Sequence, residues 1–173
     1  IVEQLNATSF LINETGGISH FVPSYEALLR EGTDGFRRRA AQALAGVQAE
    51  SPEAHFLRAV QRVCDGLDAF ADGYRQHAEA LAKREGDAQR RRELIQIATV
   101  CARVPSMPAR NFHEALQSIL FAQIALNLES LDNSVCPGRL DQILLPYYTH
   151  DIGRGRLDRA QAFELLGSFA VKL

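Results

Sequence analysis

From Ser51 onward the apolar positions of the chain fall on a helical period. Leu57, Val60, Cys64, Leu67, Ala71, Tyr74, Ala78 and Leu81 recur at alternating spacings of three and four, which sets them on one stripe of a helix about 30 residues long. The start of that helix is written locally. Ser51 supplies a cap, Pro52 suits the first helical position, and Glu53 places an acid in the first turn. Gly86-Asp87 breaks the pattern, and a second stripe over Ala88 to Arg103 carries Leu94, Ile97, Ala98 and Cys101. Two such helices joined by a short break form an antiparallel hairpin. The stripe leucines are expected to be buried in it.

Pro105 and Pro108 close the second helix. Asn111 and Glu114 are then spaced as a capping box, opening a helix that is apolar nearly all round: Phe112, Leu116, Ile119, Leu120, Phe121, Ile124, Leu126, Leu128. A helix with no polar face belongs at the centre. A polar loop from Ser130 to Pro137 follows. Beyond it the pattern predicts a helix near Leu140 to Tyr148, a loop from His150 to Gly155, and a last helix opened by Asp158. Upstream, Ser9 to Ile12 reads as a short strand, Tyr25 to Arg30 as a short helix stopped near Gly32, and Asp34 to Val47 as another helix. The fold class expected is mainly α.

Composition narrows the class without naming a function. Hydrophobic residues make up 46% of the 173, enough for a sizeable core. The net charge of −2 gives no field that would favour nucleic acid or an acidic membrane. No apolar run of about 18 residues or more spans a bilayer, and no signal peptide is apparent. Cys64, Cys101 and Cys136 lie far apart, a pattern of neither disulfide framework nor structural zinc site, which points to a reducing, cytoplasmic compartment. His55, His77, His113 and His150 share no metal-ligand spacing, with the first three expected on helix surfaces and the last in a loop. The chain opens IVEQLN without Met and stops within the apolar pattern FELLGSFAVKL. It is read as one segment, residues 1–173, of a longer domain cut at both ends.

Three strings carry a more specific message: ELIQIATVCARVP, PARNFHEALQ and SVCPGRLDQILLPYY. Together they resemble the glycyl radical enzymes, the family of pyruvate formate-lyase, in its dehydratase and lyase branch. A looser likeness begins at GGISHFVPSYEALLREGTDGF, where Ser19 and Ser24 replace a Gly and an Asp of the family pattern. The resemblance implies a ten-stranded α/β barrel wrapped by helices, with the hairpin and most of this segment in the wrapping. It implies chemistry in which a glycyl radical oxidises a cysteine to a thiyl, and the thiyl takes a hydrogen from a small substrate. A C–O, C–N or C–C bond then breaks. A separate activating enzyme, using S-adenosylmethionine and an iron–sulfur cluster, would install the radical, and the intact lyase would be a homodimer.

In that family the reactive Cys sits in a Gly-Cys-Val-Glu-type loop and the radical Gly in an Arg-Val-x-Gly-Tyr-type loop. Neither string occurs in these residues, so no catalytic residue is assigned and the segment by itself is expected to be inactive. What the resemblance carries over is part of a substrate pocket. The loop before Pro137-Gly138 reads Asp132-Asn133-Ser134-Val135-Cys136 where the family commonly has Gly-His-Ser-Ile-Ser. Ser134 keeps a hydroxyl able to bind a substrate oxygen. Asn133 exchanges a titratable His for an amide, a departure that puts a vicinal diol in question. His20 is the third substrate-binding candidate. Arg139 is read as a structural anchor of the loop, through backbone carbonyls or through Asp141 or Glu129. Read from residues alone, Ser134 is equally a turn serine, Cys136 a packed thiol and His20 a structural His. The competing reading of the whole is a non-catalytic helical scaffold, with the Leu57–Leu81 stripe as a seam for another helix.

Overall fold

The computed structural model describes residues 21–129 and 135–172. Six helices and no strand appear among the described residues: α1 Tyr25–Leu44, α2 Pro52–Arg84, α3 Ala88–Cys101, α4 Phe112–Glu129, α5 Leu140–Gly153 and α6 Arg159–Ala170. The mainly α reading stands, and the strand expected at Ser9 to Ile12 lies outside the described residues.

The local start signals act as written. Ser51 accepts from Ala54 N at 3.1 Å; Asp87, read only as part of the break after α2, also caps α3, accepting from Arg90 N at 2.7 Å. Asp158 and Gln161 form a reciprocal capping box. The box expected at Asn111 and Glu114 forms only by half. Asn111 Oδ1 accepts from Glu114 N at 2.8 Å, but the Glu114 carboxylate turns to Arg110, accepting from its backbone N at 2.8 Å and its guanidinium at 2.7 Å. Glu114 is buried, with Arg103 also beside it. Burial alone would raise its pKa; the bonds from Arg110 and the charge of Arg103 hold it below the usual carboxylate range.

Gly32 divides α1. Its φ of 65° and ψ of 174° are not helical, so the break expected near Gly32 is present and α1 is two helical stretches meeting at a kink. The kink exposes two N–H groups that α1 cannot satisfy itself. The segment after α3 takes them, with Thr33 N donating to Pro105 O at 2.9 Å and Asp34 N to Ser106 O at 3.0 Å. Beyond the kink, Thr33 Oγ1 donates to Asp68 at 2.6 Å, and Arg37 pairs with Asp65 and Asp68, tying α1 to α2.

The hairpin of α2 and α3 forms, and Cys64, Ala71 and Ala78 of the expected stripe are buried, while its leucines are less buried than expected. Ala54, Cys64, Ala71, Ala78 and Ala82 are the buried residues of α2. Leu57, Val60 and Leu67 are only half-buried, and Leu81 is 43% exposed. Leu67 packs on the core of Ala71, Cys101 and Phe121, whereas Leu81 turns towards solvent. On α3 the expected face does pack: Leu94, Ala98 and Cys101 are buried, and Ile97 is partly so.

The helix with no polar face lies at the centre, with α1, α2, α3, α5 and α6 all packed on α4. Phe112, Ala115, Leu116 and Ile119 join Tyr25, Leu29, Leu144, Ala162 and Phe169 in one core. Phe121 joins Ala71 and Cys101 in a second. The loop expected from His150 is mostly helical, since α5 continues to Gly153. The extension has a tertiary cause: it carries the buried Asp151, whose carboxylate accepts from Phe112 N at 2.7 Å and so caps the start of α4. His113, expected on a surface, is partly buried, and burial lowers its pKa. No helix among the described residues is long and apolar enough to cross a membrane.

Candidate functional site

His20, Asn133 and Ser134 lie outside the described residues. Their immediate neighbours, Phe21 and Val135–Cys136, are described, and these two stretches meet. Cys136 N donates to Phe21 O at 3.0 Å. Gly138 follows with φ +70°, and a Cβ there would stand 2.6 Å from Val22 Cγ1. The positive φ is one that glycine adopts without strain, and it brings the Pro137-Gly138 turn against the side chain of Val22.

A second contact holds the same stretch from the core side. Val135 is buried, and its carbonyl accepts from Gln123 Nε2 at 2.7 Å. Gln123 Oε1 in turn accepts from the Tyr25 hydroxyl. Tyr25 is 1% exposed and Gln123 is buried on an otherwise apolar helix. Burial, with a smaller contribution from the Cys136 thiol, pushes the Tyr25 hydroxyl up to about 12, so it remains a donor at any ordinary pH. Neither Tyr25 nor Gln123 was singled out among the sequence candidates. The available signal was Gln123 itself, a polar residue in a helix that is apolar nearly all round.

Arg139 forks onto Asp141, with contacts of 2.9 and 2.7 Å. The guanidinium holds the Asp141 carboxyl below its usual range. Both side chains are about two-thirds exposed. Cys136 is partly exposed, whereas Cys64 and Cys101 are buried. Burial raises Cys64 and pushes Cys101 up to about 11, so neither supplies a thiolate near neutral pH. Among the described residues no cluster of three or more His, Cys, Asp or Glu is placed to hold a metal ion. A separate cleft of about 570 Å³, lined by Glu93, His113, Gln117, Glu164 and Phe169 among others, receives none of Tyr25, Gln123, Val135 or Cys136.

The described residues form a helical shell with a buried polar relay beneath the Pro137-Gly138 turn. Comparison with known proteins gives the family. A family model described as pyruvate formate lyase-like matches residues 4–173. The isethionate sulfite-lyase of Nitratidesulfovibrio vulgaris is 35% identical over 166 residues, covering 91% of this chain and 20% of that protein. Among solved structures, a glycyl radical enzyme from Archaeoglobus fulgidus superposes with a TM-score of 0.83 at 34% identity, covering 90% of this chain and 20% of the other. The glycerol-bound B12-independent glycerol dehydratase from Clostridium butyricum gives a TM-score of 0.84 at 30% identity, covering 91% and 20%. The chain belongs to the pyruvate formate lyase-like family of glycyl radical enzymes. It spans about a fifth of the length of the relatives it matches.

Proposed function

We propose that this segment builds one wall of the substrate pocket, and part of the helical shell, of a glycyl radical lyase or dehydratase acting on a small polar substrate. What supports the reading is the hydrogen bond between Cys136 N and Phe21 O. It joins the described neighbours of Ser134 and of His20, candidates more than a hundred residues apart in sequence. A loop held this way at its stem can aim short polar side chains at a ligand. In this reading the Ser134 hydroxyl and the Asn133 amide bind a substrate oxygen, each as donor or acceptor, and His20 stands behind them. Hydrogen abstraction would be supplied by the glycyl radical and its cysteine. Neither family string is among these residues, so the segment alone is inactive and its own part is binding and orientation.

The bond cleaved is C–O, C–N or C–C in this proposal. The sulfite-lyase among the relatives adds a sulfur leaving group to the range worth assaying. Partners are the substrate, a radical-installing enzyme that uses S-adenosylmethionine and an iron–sulfur cluster, and a second copy in a homodimer, in the cytoplasm. The apolar groove of Leu140, Leu144, Leu145, Ala162, Phe163 and Leu166 on α5 and α6 is the face we assign to the barrel. The test is Ser134→Ala in the full-length, anaerobically activated enzyme, assayed on glycerol and isethionate, the compounds named for the relatives above. With radical content by electron paramagnetic resonance unchanged, kcat/KM should fall about 10-fold or more, the worth of one polar contact at roughly 1–3 kcal/mol. Unchanged turnover would make the loop scaffold only.

A further inference from the structure

Helix α2 is 33 residues long and carries two glycines, although glycine disfavours a helix more than any residue but proline. Packing among the described residues does not account for them. No atom outside the helix's own backbone stands within 4 Å of a Cβ built at Gly66 or Gly73. Both belong to a repeat. Ala59, Gly66, Gly73 and Ala80 follow one another at intervals of seven, and three places before each stand Phe56, Val63, Phe70 and His77. The two series together step by three and four, which puts them on one face of the helix. That face is not the one buried in the hairpin. Its small residues and His77 are exposed, and so are Phe56 at 67% and Val63 at 70%. Phe70 is half-buried, edge-on to Tyr74 and Phe121. Bulky and small side chains in alternation make knobs and holes, and a backbone without Cβ lets a second helix come close. One border of the face repeats at the same interval, as His55, Arg62, Ala69, Gln76 and Lys83. All five are exposed, and none is an acid.

We propose that this face of α2 is the docking site of a helix from the rest of the full-length polypeptide. That helix sets bulky apolar residues over Ala59, Gly66 and Gly73 and acidic residues against Arg62 and Lys83. This chain matches about a fifth of the length of its relatives, and tethering gives the remainder an effective concentration at α2 that a free partner lacks. A second copy of α2 does not fit. Paired antiparallel across position 69, it would set Lys83 against His55 and Arg62 against Gln76, with no acid on either side. Paired parallel, the basic border would lie on Val60, Leu67, Tyr74 and Leu81. A lipid surface would be served by bulk at positions 66 and 73, not by glycine. The face is separate from the α5–α6 groove and takes no part in the pocket reading.

The experiment replaces Val63 by the photo-crosslinker p-benzoylphenylalanine in the full-length enzyme, and mass spectrometry identifies the linked peptide. The expected link lies within one polypeptide, to a helix outside residues 1–173 that carries apolar and acidic residues. A link between two copies, a link within residues 1–173, or no link overturns the proposal. Gly66→Ala with Gly73→Ala gives a second measurement. In the chain alone the added Cβ atoms meet nothing, whereas under a docked helix they meet it. The melting temperature of the full-length enzyme should therefore fall, by about 2 °C or more; a rise or no change overturns the close approach. Arg62→Glu with Lys83→Glu should also lower it, with a loss that shrinks as salt is raised. No loss at low salt overturns an acidic occupant. Sedimentation of the unmodified enzyme with phosphatidylglycerol vesicles, abolished by Val63→Asp, would make this a membrane face and overturn the proposal.

Discussion

Gly32→Ala is the substitution whose cost the structure specifies most fully. The backbone at Gly32 has φ +65° and ψ 174°, a region that only glycine occupies without strain of about 1–3 kcal/mol. The added Cβ would stand 2.2 Å from Ser106 O and 2.8 Å from Met107 C. Both are backbone atoms, so no side chain can rotate away. Relief requires parting the 105–107 segment from α1, which breaks the bonds from Thr33 N to Pro105 O and from Asp34 N to Ser106 O. Thr33 is buried, and each lost bond costs about 1 kcal/mol or more. The expected loss is about 3–5 kcal/mol by urea denaturation followed by helical circular dichroism. Gly66→Ala is the control. Gly66 lies on an exposed stretch of α2 with nothing within 4 Å of the new Cβ, and alanine there should gain about 0.5–1 kcal/mol from helix propensity. A Gly32→Ala variant within about 1 kcal/mol of the unmodified chain would refute the argument. So would equal losses at both glycines.

On the α2 seam, Ala71→Leu should destabilise by about 1–3 kcal/mol through overpacking, whereas Leu81→Ala should cost less than about 1 kcal/mol; the same denaturation experiment giving the reverse order would restore the leucine stripe as the seam. Burial raises the Tyr25 hydroxyl from 10.0 to about 12, so the folded state favours its neutral form. That contribution, up to about 3 kcal/mol, is present in full below pH 10 and is lost as pH rises from 10 towards 12. Denaturation at pH 9 and pH 11 should show a smaller alkaline loss in Tyr25→Phe than in the unmodified chain, and equal losses would count against a buried donor.

What could be read from the sequence divides by the range of the interaction. Ser51 and Asp158 cap the helices that follow them because a cap is chemistry within four residues. The central place of α4 followed from its lack of a polar face. The burial of Leu81 was misjudged because Leu81 and Ala82 stand three and four residues beyond Ala78, and hydrophobicity alone prefers the leucine. The helix instead buries the alanine, since the distance between two backbones is set by both partners. The length of α5 was likewise hidden: the reason for helix at Asp151 is an amide at Phe112, 39 residues away. In the candidate site, Ser134, Asn133 and His20 came from a resemblance and lie outside the described residues. Tyr25 and Gln123 are tied to the Val135 turn by hydrogen bonds spanning 98 and 12 residues, which no local pattern carries.

Helix α4 belongs to two cores at once. Ile119 packs in one and Phe121 in the other, and two residues along a helix are about 200° apart around its axis. A change of volume on one face can be absorbed by shifting the helix, but the shift is delivered undiminished to the opposite face, because close-packed interiors have no slack to take it up. Substitutions in α4 are therefore expected to have been accepted in the family's descent as matched pairs, one beside α1, α5 and α6 and one beside α2 and α3. The outer helices, each answering mainly to one side, are free to drift singly.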